Sequence, residues 1–246
     1  MLKEEYNKIL DWLEDFISSG QADEELGSHF EEQDLVKYLK DNFIEIFRKI
    51  NKCHDNFFNS CLWPEFYTLF FKKEKYIIEN NVLIRPCLTD IKKAHDIPNT
   101  VKRIDKEAFA CCYSLESIYI PNTVKNIGLS AFENCTNLTH VTLENSLTNI
   151  CTYVFYGCEN LSSITIPDKV KTIGSYAFGN CRRLTSVNLP NNLQTIKLYA
   201  FYNCNNLKTI NFNGTKEEWK NITKYYDFYC LNRTIHCNDG NLKEKL

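Results

Sequence analysis

Apolar residues recur every 23 residues between residues 97 and 212, and no insertion disturbs the period. About seven columns stay in register over five successive repeats, which is far more regular than one globular core requires. Phenylalanine marks one column, a small or β-branched residue precedes it, and a cysteine follows three residues later. The phenylalanines are Phe109, Phe132, Phe155, Phe178 and Phe201, and the cysteines are Cys112, Cys135, Cys158, Cys181 and Cys204. The chain is therefore a repeat protein whose fold follows from one unit.

Each repeat reads LxxIxLPxxVxxIxxxAFxxC. The alternating apolar residues of LxxIxL predict a short strand with every second side chain directed inward. The proline that follows cannot donate to a sheet, so it turns the chain out of the strand. VxxI predicts a second short extended piece, and AF predicts a turn that buries the phenylalanine. Stacked units of this kind form a solenoid of five turns with a parallel β-sheet on one face.

A stack of repeats leaves an apolar layer open at each end, so both ends require caps. In front of the repeats, residues 76–84 predict a hairpin that turns at Asn80 and Asn81. Behind them, the spacing of Thr215 and Glu218 predicts a helix capping box. The remaining predicted parts of this C-terminal cap are Trp219 over the last apolar layer, a closing strand at 234–237 and a turn at 238–240.

The repeat, written as IPNxVxxIxxxAFxxCxxLxxI, resembles the BspA-type leucine-rich repeats of bacteria and some protists. The resemblance covers residues 76–240, and the segment from Gly214 to Gly240 is similar to the closing segment of that family. It implies a binding role, and in many members surface display and adhesion to host or bacterial partners. The third repeat departs from the pattern, with Glu144 in the proline column and Cys151 in the column of Gly128 and Gly174.

Residues 1–72 differ in character from the repeats. They contain 8 Lys and Arg against 15 Asp and Glu, whereas the rest of the chain contains 21 against 16. Apolar residues at helical spacing predict amphipathic helices over residues 2–17 and 31–51, with a short third helix after Pro64. We therefore expect an α+β fold with four parts: an acidic helical domain (1–72), a cap hairpin (73–96), the solenoid (97–212) and a C-terminal cap and tail (213–246).

Charge and hydropathy indicate what kind of partner the protein binds and where it is located. The net charge of −2 gives no indication of nucleic-acid binding. Acidic residues interrupt the first 20 positions, and no apolar stretch approaches the ~20 residues of a membrane span. As the sequence stands, this predicts a cytoplasmic protein without a membrane span; a secreted or surface location is the alternative if a leader has been removed.

The cysteine column invites a disulfide or zinc interpretation. Adjacent turns would place these residues about 4.8 Å apart, within the span of a disulfide. However, five cysteines in one line cannot all pair, and their side chains point the same inward way rather than converging on a metal. We expect buried, reduced thiols. None of the five histidines lies in a nucleophile–base motif, so the sequence predicts no catalytic residues, no metal and no cofactor.

Tyrosines form the first candidate binding surface. One slot near the phenylalanine column holds tyrosine in three successive repeats and a second slot nearby holds two more tyrosines, which would stack the rings on one outer face. Such a stack either stabilises the solenoid by ladder packing or offers an aromatic surface for protein or sugar. The first slot contains Tyr153, Tyr176 and Tyr199, the second contains Tyr156 and Tyr202, and Arg182 and Arg183 flank the region as polar anchors.

The outward positions of the LxxIxL strands form the second candidate surface. They are mostly small hydroxyls and amides, and they are fewer than the about 20–30 residues that each side of a standard protein interface uses. The candidate contacts among them are Tyr119, His140, Thr142, Thr165, Asn188 and Asn211. We expect a non-catalytic module that binds a protein or peptide through one of the two surfaces. A scaffold that self-associates through residues 1–72 and a surface adhesin are the alternatives, and an enzyme with its site in residues 1–72 is disfavoured because the helix stripes there are apolar.

Overall fold

The computed structural model of the chain describes residues 76–86, 93–94, 97–225 and 234–243, and these form a β-solenoid with one short helix. The helices predicted in residues 1–72 lie outside the described residues. In chain order the elements are β1 (Tyr76–Glu79), β2 (Val82–Pro86), β3 (Lys93–Ala94), β4 (Arg103–Ile104), β5 (Ser117–Ile120), β6 (Asn126–Ile127), β7 (His140–Leu143), β8 (Asn149–Ile150), β9 (Ser163–Thr165), β10 (Thr172–Ile173), β11 (Ser186–Leu189), β12 (Thr195–Ile196), β13 (Thr209–Phe212), α1 (Lys216–Asn221), β14 (Thr223–Lys224), β15 (Thr234–Cys237) and β16 (Gly240–Lys243).

The LxxIxL segments form the predicted parallel sheet. Its strands run in the order β3-β5-β7 and then β9-β11-β13-β15, with β16 added antiparallel at the end. The register is that of the repeat, because Ile118 pairs with Val141 and Val187 pairs with Ile210. Side chains 23 residues apart therefore lie beside each other on neighbouring strands, which confirms the solenoid.

The sheet predicted on one face forms, and the structure adds a second row of paired strands that the sequence predicts only as short extended pieces. The VxxI segments pair with one another as well, in the orders β2-β4-β6 and β8-β10-β12-β14, and all of these neighbours are parallel. The physical reason is the constant repeat length. Once one side of each coil is in register, the short extended piece on the other side lies opposite its copy and its backbone groups pair too.

The solenoid has about six turns rather than five. Residues 209–225 form a further turn, because β13 continues the first sheet row and β14 continues the second. Helix α1 lies between these two strands, where the other turns have the short connection that follows the LxxIxL strand, such as residues 190–194. Thr215 accepts a hydrogen bond from the Glu218 N–H, and the Glu218 carboxylate accepts from the Thr215 N–H, so the predicted capping box forms.

The core of the solenoid is a stack of phenylalanine rings. Phe109, Phe132, Phe155, Phe178 and Phe201 are at most 1% exposed. Successive ring centroids lie 4.9, 5.3, 5.6 and 5.4 Å apart, and the ring planes differ by 8–21°. Since Phe132 and Phe155 are direct neighbours in this stack, the predicted vertical column is confirmed.

Aromatic residues close both ends of the stack. At the front, the edge of Tyr76 contacts Phe109 with 6.4 Å between ring centroids. At the back, Trp219 packs edge-on against Phe212 at 5.3 Å and is only 2% exposed. These rings cover the terminal apolar layers, as the sequence predicts for Trp219.

Each AF turn contains two residues with left-handed backbone, two positions before and two positions after the phenylalanine. The second position holds residues that tolerate this conformation, such as Asn134, Gly157 and Asn180, with φ of 57°, 70° and 59°. The first position holds tyrosine in three turns. A different constraint applies at Gly174, where an added Cβ would lie 2.5 Å from the Thr152 nitrogen of the preceding coil.

The phenylalanine stack yields the first prediction. We expect Phe155→Ala to lower the free energy of unfolding by about 3–5 kcal/mol, because it opens a cavity in the middle of the column and removes two ring contacts. Urea denaturation measures the change. Tyr113→Ala serves as the control, since Tyr113 is 45% exposed and its loss should cost about 0.5 kcal/mol or less. Equal costs for the two variants would contradict a continuous stacked core.

Candidate functional site

The five candidate tyrosines form one cluster, which we call the tyrosine cluster. Tyr176 lies at its centre. Its ring stacks on Tyr153 at 5.1 Å and on Tyr199 at 4.9 Å, and it forms T-shaped pairs with Tyr156 at 6.3 Å and Tyr202 at 5.8 Å. The two outer pairs also pack edge to face, at 5.4 and 5.7 Å. The sequence therefore predicts correctly that these side chains come together.

The local backbone explains how five rings fit on one face. Tyr153, Tyr176 and Tyr199 have φ of 56°, 53° and 57°, a conformation that is unfavourable for a bulky residue. Gly179 separates the two edge-on rings along their column, and an added Cβ there would lie 2.7 Å from a ring carbon of Tyr156. The cluster thus depends on three strained tyrosines and one residue without a side chain.

Exposure varies across the tyrosine cluster. Tyr202 is 46% exposed and the neighbouring Leu198 is 37% exposed, whereas the other four tyrosines are half-buried. Partial desolvation, together with the surrounding tyrosines, raises the pKa of the Tyr176 phenol. The solvent side of the cluster therefore consists of Tyr202, Leu198 and the edges of the stacked rings.

The candidate residues of the sheet face divide into two groups. Tyr119 pairs in register with Thr142 on β5 and β7, and the Tyr119 hydroxyl donates to the Glu144 carboxylate at 3.2 Å. Desolvation and this hydrogen bond raise the pKa of Tyr119. His140 is exposed beside them, and its Nδ1 lies 2.8 Å from the Thr139 hydroxyl.

The second group is a row of amides on β9, β11 and β13. The Asn188 amide donates to the Thr165 hydroxyl at 2.9 Å, and the Asn211 amide donates to the Asn188 carbonyl oxygen at 2.7 Å. His236 continues the row, because it pairs with Asn211 in the parallel register of β13 and β15. Its Nδ1 lies 2.8 Å from the Asn241 side-chain oxygen.

A groove of about 430 Å³ follows this row. Its apolar lining comes from Ile166, Leu189 and Phe212, and its polar lining includes the amide row, His236 and Asp168. His236 is not among the binding residues predicted from the sequence. Helix α1 and its connections lengthen the last turn, so Asn211 pairs with a residue 25 positions later rather than 23. The capping box, which predicts an added helix in this turn, was the sequence feature that could have identified His236.

Arg182 and Arg183 both contact Glu159 of the preceding coil. The Arg182 side chain lies 3.8 Å from the Glu159 carboxylate, and both side chains are largely exposed. The Arg183 N–H donates to the Glu159 carbonyl oxygen at 3.0 Å. Such an exposed pair contributes little to stability, and the anchoring role proposed for these arginines stays a prediction.

The cysteine column is part of the core. Cys135, Cys158, Cys181 and Cys204 are at most 2% exposed, and all four are free thiols. Each thiol donates to the phenylalanine carbonyl of the preceding coil, over Sγ–O distances of 3.0, 3.2, 3.2 and 2.9 Å in chain order. The prediction of buried thiols is confirmed for these four cysteines, whereas Cys112 is half-buried. Their hydrogen bonds give the four thiols a second role in joining successive coils.

A scan against protein-family models matches residues 37–122 and 102–232 to the BspA type leucine rich repeat region, in six copies. The chain belongs to the BspA-type leucine-rich repeat family. The matched stretch begins at residue 37, inside the segment for which the sequence predicts a second amphipathic helix. Leucine-rich repeat proteins of this family are typically interaction or surface proteins.

Solved structures of bacterial repeat proteins resemble this BspA-type chain. A leucine rich cell surface protein from Faecalibacterium prausnitzii is 34% identical over 60% of this chain and 40% of its own, with a TM-score of 0.57. The leucine rich repeat protein of T. pallidum is 28% identical over 57% of this chain and 69% of its own, with a TM-score of 0.52. The pneumococcal vaccine antigen PcpA, at 24% identity and a TM-score of 0.51, shares the fold. The chain thus spans less than half the length of the F. prausnitzii protein.

A comparison with curated protein sequences finds no match. In the described part of the chain, no helix is long and apolar enough to cross a membrane. Within those same residues, no group of three or more His, Cys, Asp or Glu side chains is placed to hold a metal ion.

The buried thiols yield the second prediction. Burial raises the pKa of Cys135, Cys158 and Cys181, whereas a thiol of the unfolded chain ionises near pH 8.5. These thiols therefore contribute stability that is fully present below about pH 8.5 and is lost as the pH rises towards their folded-state pKa values. Above about pH 8.5, each should lower the free energy of unfolding by about 1.4 kcal/mol per pH unit.

Urea denaturation of the reduced protein between pH 7 and pH 10 measures this slope. Cys158→Ala removes one buried thiol, so it should make the slope shallower by about 1.4 kcal/mol per pH unit, within the range where the folded thiol stays protonated. An unchanged slope in a folded Cys158→Ala variant would show that this thiol ionises equally in both states.

Proposed function

We propose that this chain is a non-catalytic recognition module that binds a protein partner through the exposed side of the tyrosine cluster. The observation that carries the proposal is the packing of five rings around Tyr176, with Tyr202 and Leu198 exposed beside them. Tyrosine is enriched in interface centres because one ring combines a large apolar area with a polar hydroxyl.

The geometry favours a protein over a sugar. A sugar ring bound by aromatic side chains packs against an open ring face, but Tyr153 and Tyr199 cover both faces of Tyr176. The cluster instead presents ring edges and hydroxyls beside Leu198. Such a rigid and mixed surface suits a protein partner, since the rings are already ordered and lose little conformational entropy on binding.

The polar sheet face is a weaker candidate for binding the partner. The amides of Asn188 and Asn211 already donate to neighbouring side chains in the row, so a ligand would compete with those hydrogen bonds. The groove beside the row nevertheless offers apolar lining with polar groups above it. It is our second candidate surface, and an extended peptide segment of the same partner is the occupant we infer for it.

Two alternatives concern the rest of the chain and its location. Self-association through residues 1–72 remains a proposal, and light scattering at several protein concentrations tests it. The F. prausnitzii protein is described as a cell surface protein, which supports the surface location over the cytoplasmic one. Fractionation of cells that express the full-length gene distinguishes the two locations.

The third prediction concerns the tyrosine cluster. A photo-cross-linking amino acid at position 202 captures the partner, and calorimetry with that partner then gives Kd. We expect Tyr202→Ala to raise Kd about tenfold or more, because an aromatic residue at an interface centre contributes at least about 1.4 kcal/mol. Tyr113→Ala is the matched control, since Tyr113 lies outside the cluster and is 45% exposed against 46% for Tyr202.

The control should leave Kd within about twofold, and urea denaturation should show both variants folded. The proposal is wrong if the two variants bind the captured protein equally well.

The fourth prediction separates the two surfaces. If the groove holds part of the partner, Asn211→Leu should raise Kd several-fold, because it removes an amide from the row while keeping side-chain bulk. Asn137→Leu is its control, since the Asn137 amide donates to the Tyr113 carbonyl on the coil rather than in the groove. A Kd that changes only with Tyr202→Ala assigns recognition to the tyrosine cluster alone.

A further inference from the structure

Both sheet rows of the solenoid are interrupted within the same coil. In the described residues β7 pairs back with β5 and β8 pairs forward with β10, while β6 and β8 do not pair, nor do β7 and β9. The break therefore lies at residues 144–148, which connect β7 to β8. It divides the solenoid into an N-terminal stack that ends at Leu143 and a C-terminal stack that begins at Asn149.

Backbone hydrogen bonds define the break. At an intact junction of the second row, two N–H groups donate to the preceding coil, such as Lys171 to Thr148 at 2.9 Å and Gly174 to Ile150 at 2.8 Å. The four other described junctions of that row have both equivalent bonds. At the break, the pairs that would make them are Thr148 with Lys125 and Cys151 with Ile127, and neither bond forms among these described residues.

The residue in the proline column explains the difference. In an ordinary repeat the chain turns after proline, and the Val124 N–H donates to the Pro121 carbonyl at 3.0 Å. At the break Glu144 stands in place of proline, and the Ser146 N–H donates to the Glu144 carbonyl at 2.8 Å. A tighter turn replaces the usual one, so the residues that follow are shifted from their partners.

Hydrogen bonds also connect Glu144 to the N-terminal stack. Its N–H donates to the Ile120 carbonyl at 3.1 Å, and its carboxylate accepts the Tyr119 hydroxyl. The Ser146 hydroxyl donates to the Val124 carbonyl of the same stack. Glu144 and Ser146 are therefore held by the N-terminal stack. The Asn145 side-chain oxygen accepts the Lys169 N–H of the C-terminal stack at 3.2 Å, and strand β8 directly afterwards belongs to that stack.

Side-chain packing is looser at the same place. The inward residues of β7, Val141 and Leu143, are half-buried, whereas the equivalent Val187 and Leu189 of β11 are at most 2% exposed. Strand β9 lies beside β7 without pairing with it, so the inward side chains of β7 are less completely covered than those of β11, while Ile127 and Ile150 of the second row stay buried.

One side of the solenoid stays continuous across the break. The Phe132 and Asn134 N–H groups donate to the Val154 and Tyr156 carbonyls at 2.9 and 2.7 Å. Phe132 stacks on Phe155, and the Cys158 thiol donates to the Phe132 carbonyl. The two stacks thus remain connected along the phenylalanine column, while both sheet rows are open.

We propose that residues 144–148 form a joint at which the N-terminal and C-terminal stacks bend and transiently separate. Bending opens the unpaired sheet rows first, and full separation also breaks the contacts of the phenylalanine side, including the Cys158–Phe132 hydrogen bond. All five residues of the tyrosine cluster lie in the C-terminal stack, whereas Tyr119 and Thr142 lie in the N-terminal stack. Bending at the joint therefore changes the curvature of the sheet face without disturbing the tyrosine cluster. This inference does not depend on the proposed function.

The cysteine column provides a reporter for the joint. The Cys158 thiol bonds across the break, and the Cys181 thiol makes the same bond across an intact junction, both at 3.2 Å and both fully buried. Alkylation with iodoacetamide under native conditions, followed by peptide mass spectrometry, measures how often each thiol becomes accessible. In the full-length protein we expect the initial rate at Cys158 to exceed that at Cys181 by about tenfold or more.

Exchanging the turn sequences tests whether the turn at residues 144–148 causes the faster opening. Glu144→Pro, Ser146→Thr, Leu147→Val and Thr148→Lys together copy residues 121–125 into the joint and should slow Cys158 to the rate of Cys181. The reciprocal variant carries Pro190→Glu, Asn192→Ser and Gln194→Thr, which copies residues 144–148 into an intact junction. It should speed alkylation of Cys204, whose thiol bonds across that junction to Phe178.

Circular dichroism identifies which variants are folded. The joint is established if Cys158 is labelled faster than Cys181 in the unmodified protein and if the reciprocal variant also speeds labelling of Cys204. Equal rates at Cys158 and Cys181 in the unmodified protein would overturn it. If the first variant does not fold, the unmodified protein and the reciprocal variant decide between these outcomes.

Discussion

The structure depends on the contact between one coil and the next. Each inner phenylalanine ring is covered by its copies above and below. The carbonyls of Phe109, Phe132, Phe155 and Phe178 each accept a backbone N–H within their own coil and a thiol from the next one. A coil in isolation would expose its ring faces and half of its backbone polar groups. The repeat length is constrained for the same reason, since an insertion would move a phenylalanine out of the stack.

A constant repeat length also makes much of this fold predictable from sequence. Once the period is known, residues 23 apart must be spatial neighbours, so the contacts of Phe132 with Phe155 and of Tyr153 with Tyr176 follow directly. The second sheet row follows from the same period, but the break at 144–148 does not. The break depends on whether backbone donors meet acceptors after a turn, and the replacement of proline by Glu144 marks the place without giving the geometry. His236 is not among the predicted binding residues because helix α1 changes the residue count between β13 and β15.

The same regularity determines what the two candidate surfaces offer to a partner. On the sheet face, identical spacing places Asn188 and Asn211 where they bond to their own neighbours, so much of their hydrogen-bonding capacity is already used. On the tyrosine side, stacking uses ring faces but leaves edges, hydroxyls and the exposed Tyr202. A ligand gains little by replacing satisfied amides, whereas ordered rings with exposed apolar area offer burial at small entropic cost. This difference favours the tyrosine cluster as the main contact.

In a stack whose junctions were all equal, opening would begin at the ends, because a terminal coil has only one neighbour. This chain covers both ends, with Tyr76 against Phe109 and with Trp219 against Phe212, and it lacks both sheet pairings at one internal junction instead. Capping raises the cost of fraying, and the turn at Glu144 lowers the cost of opening in the middle. Since opening takes place where the coupling between neighbours is weakest, the two features together shift motion from the ends of the solenoid to residues 144–148.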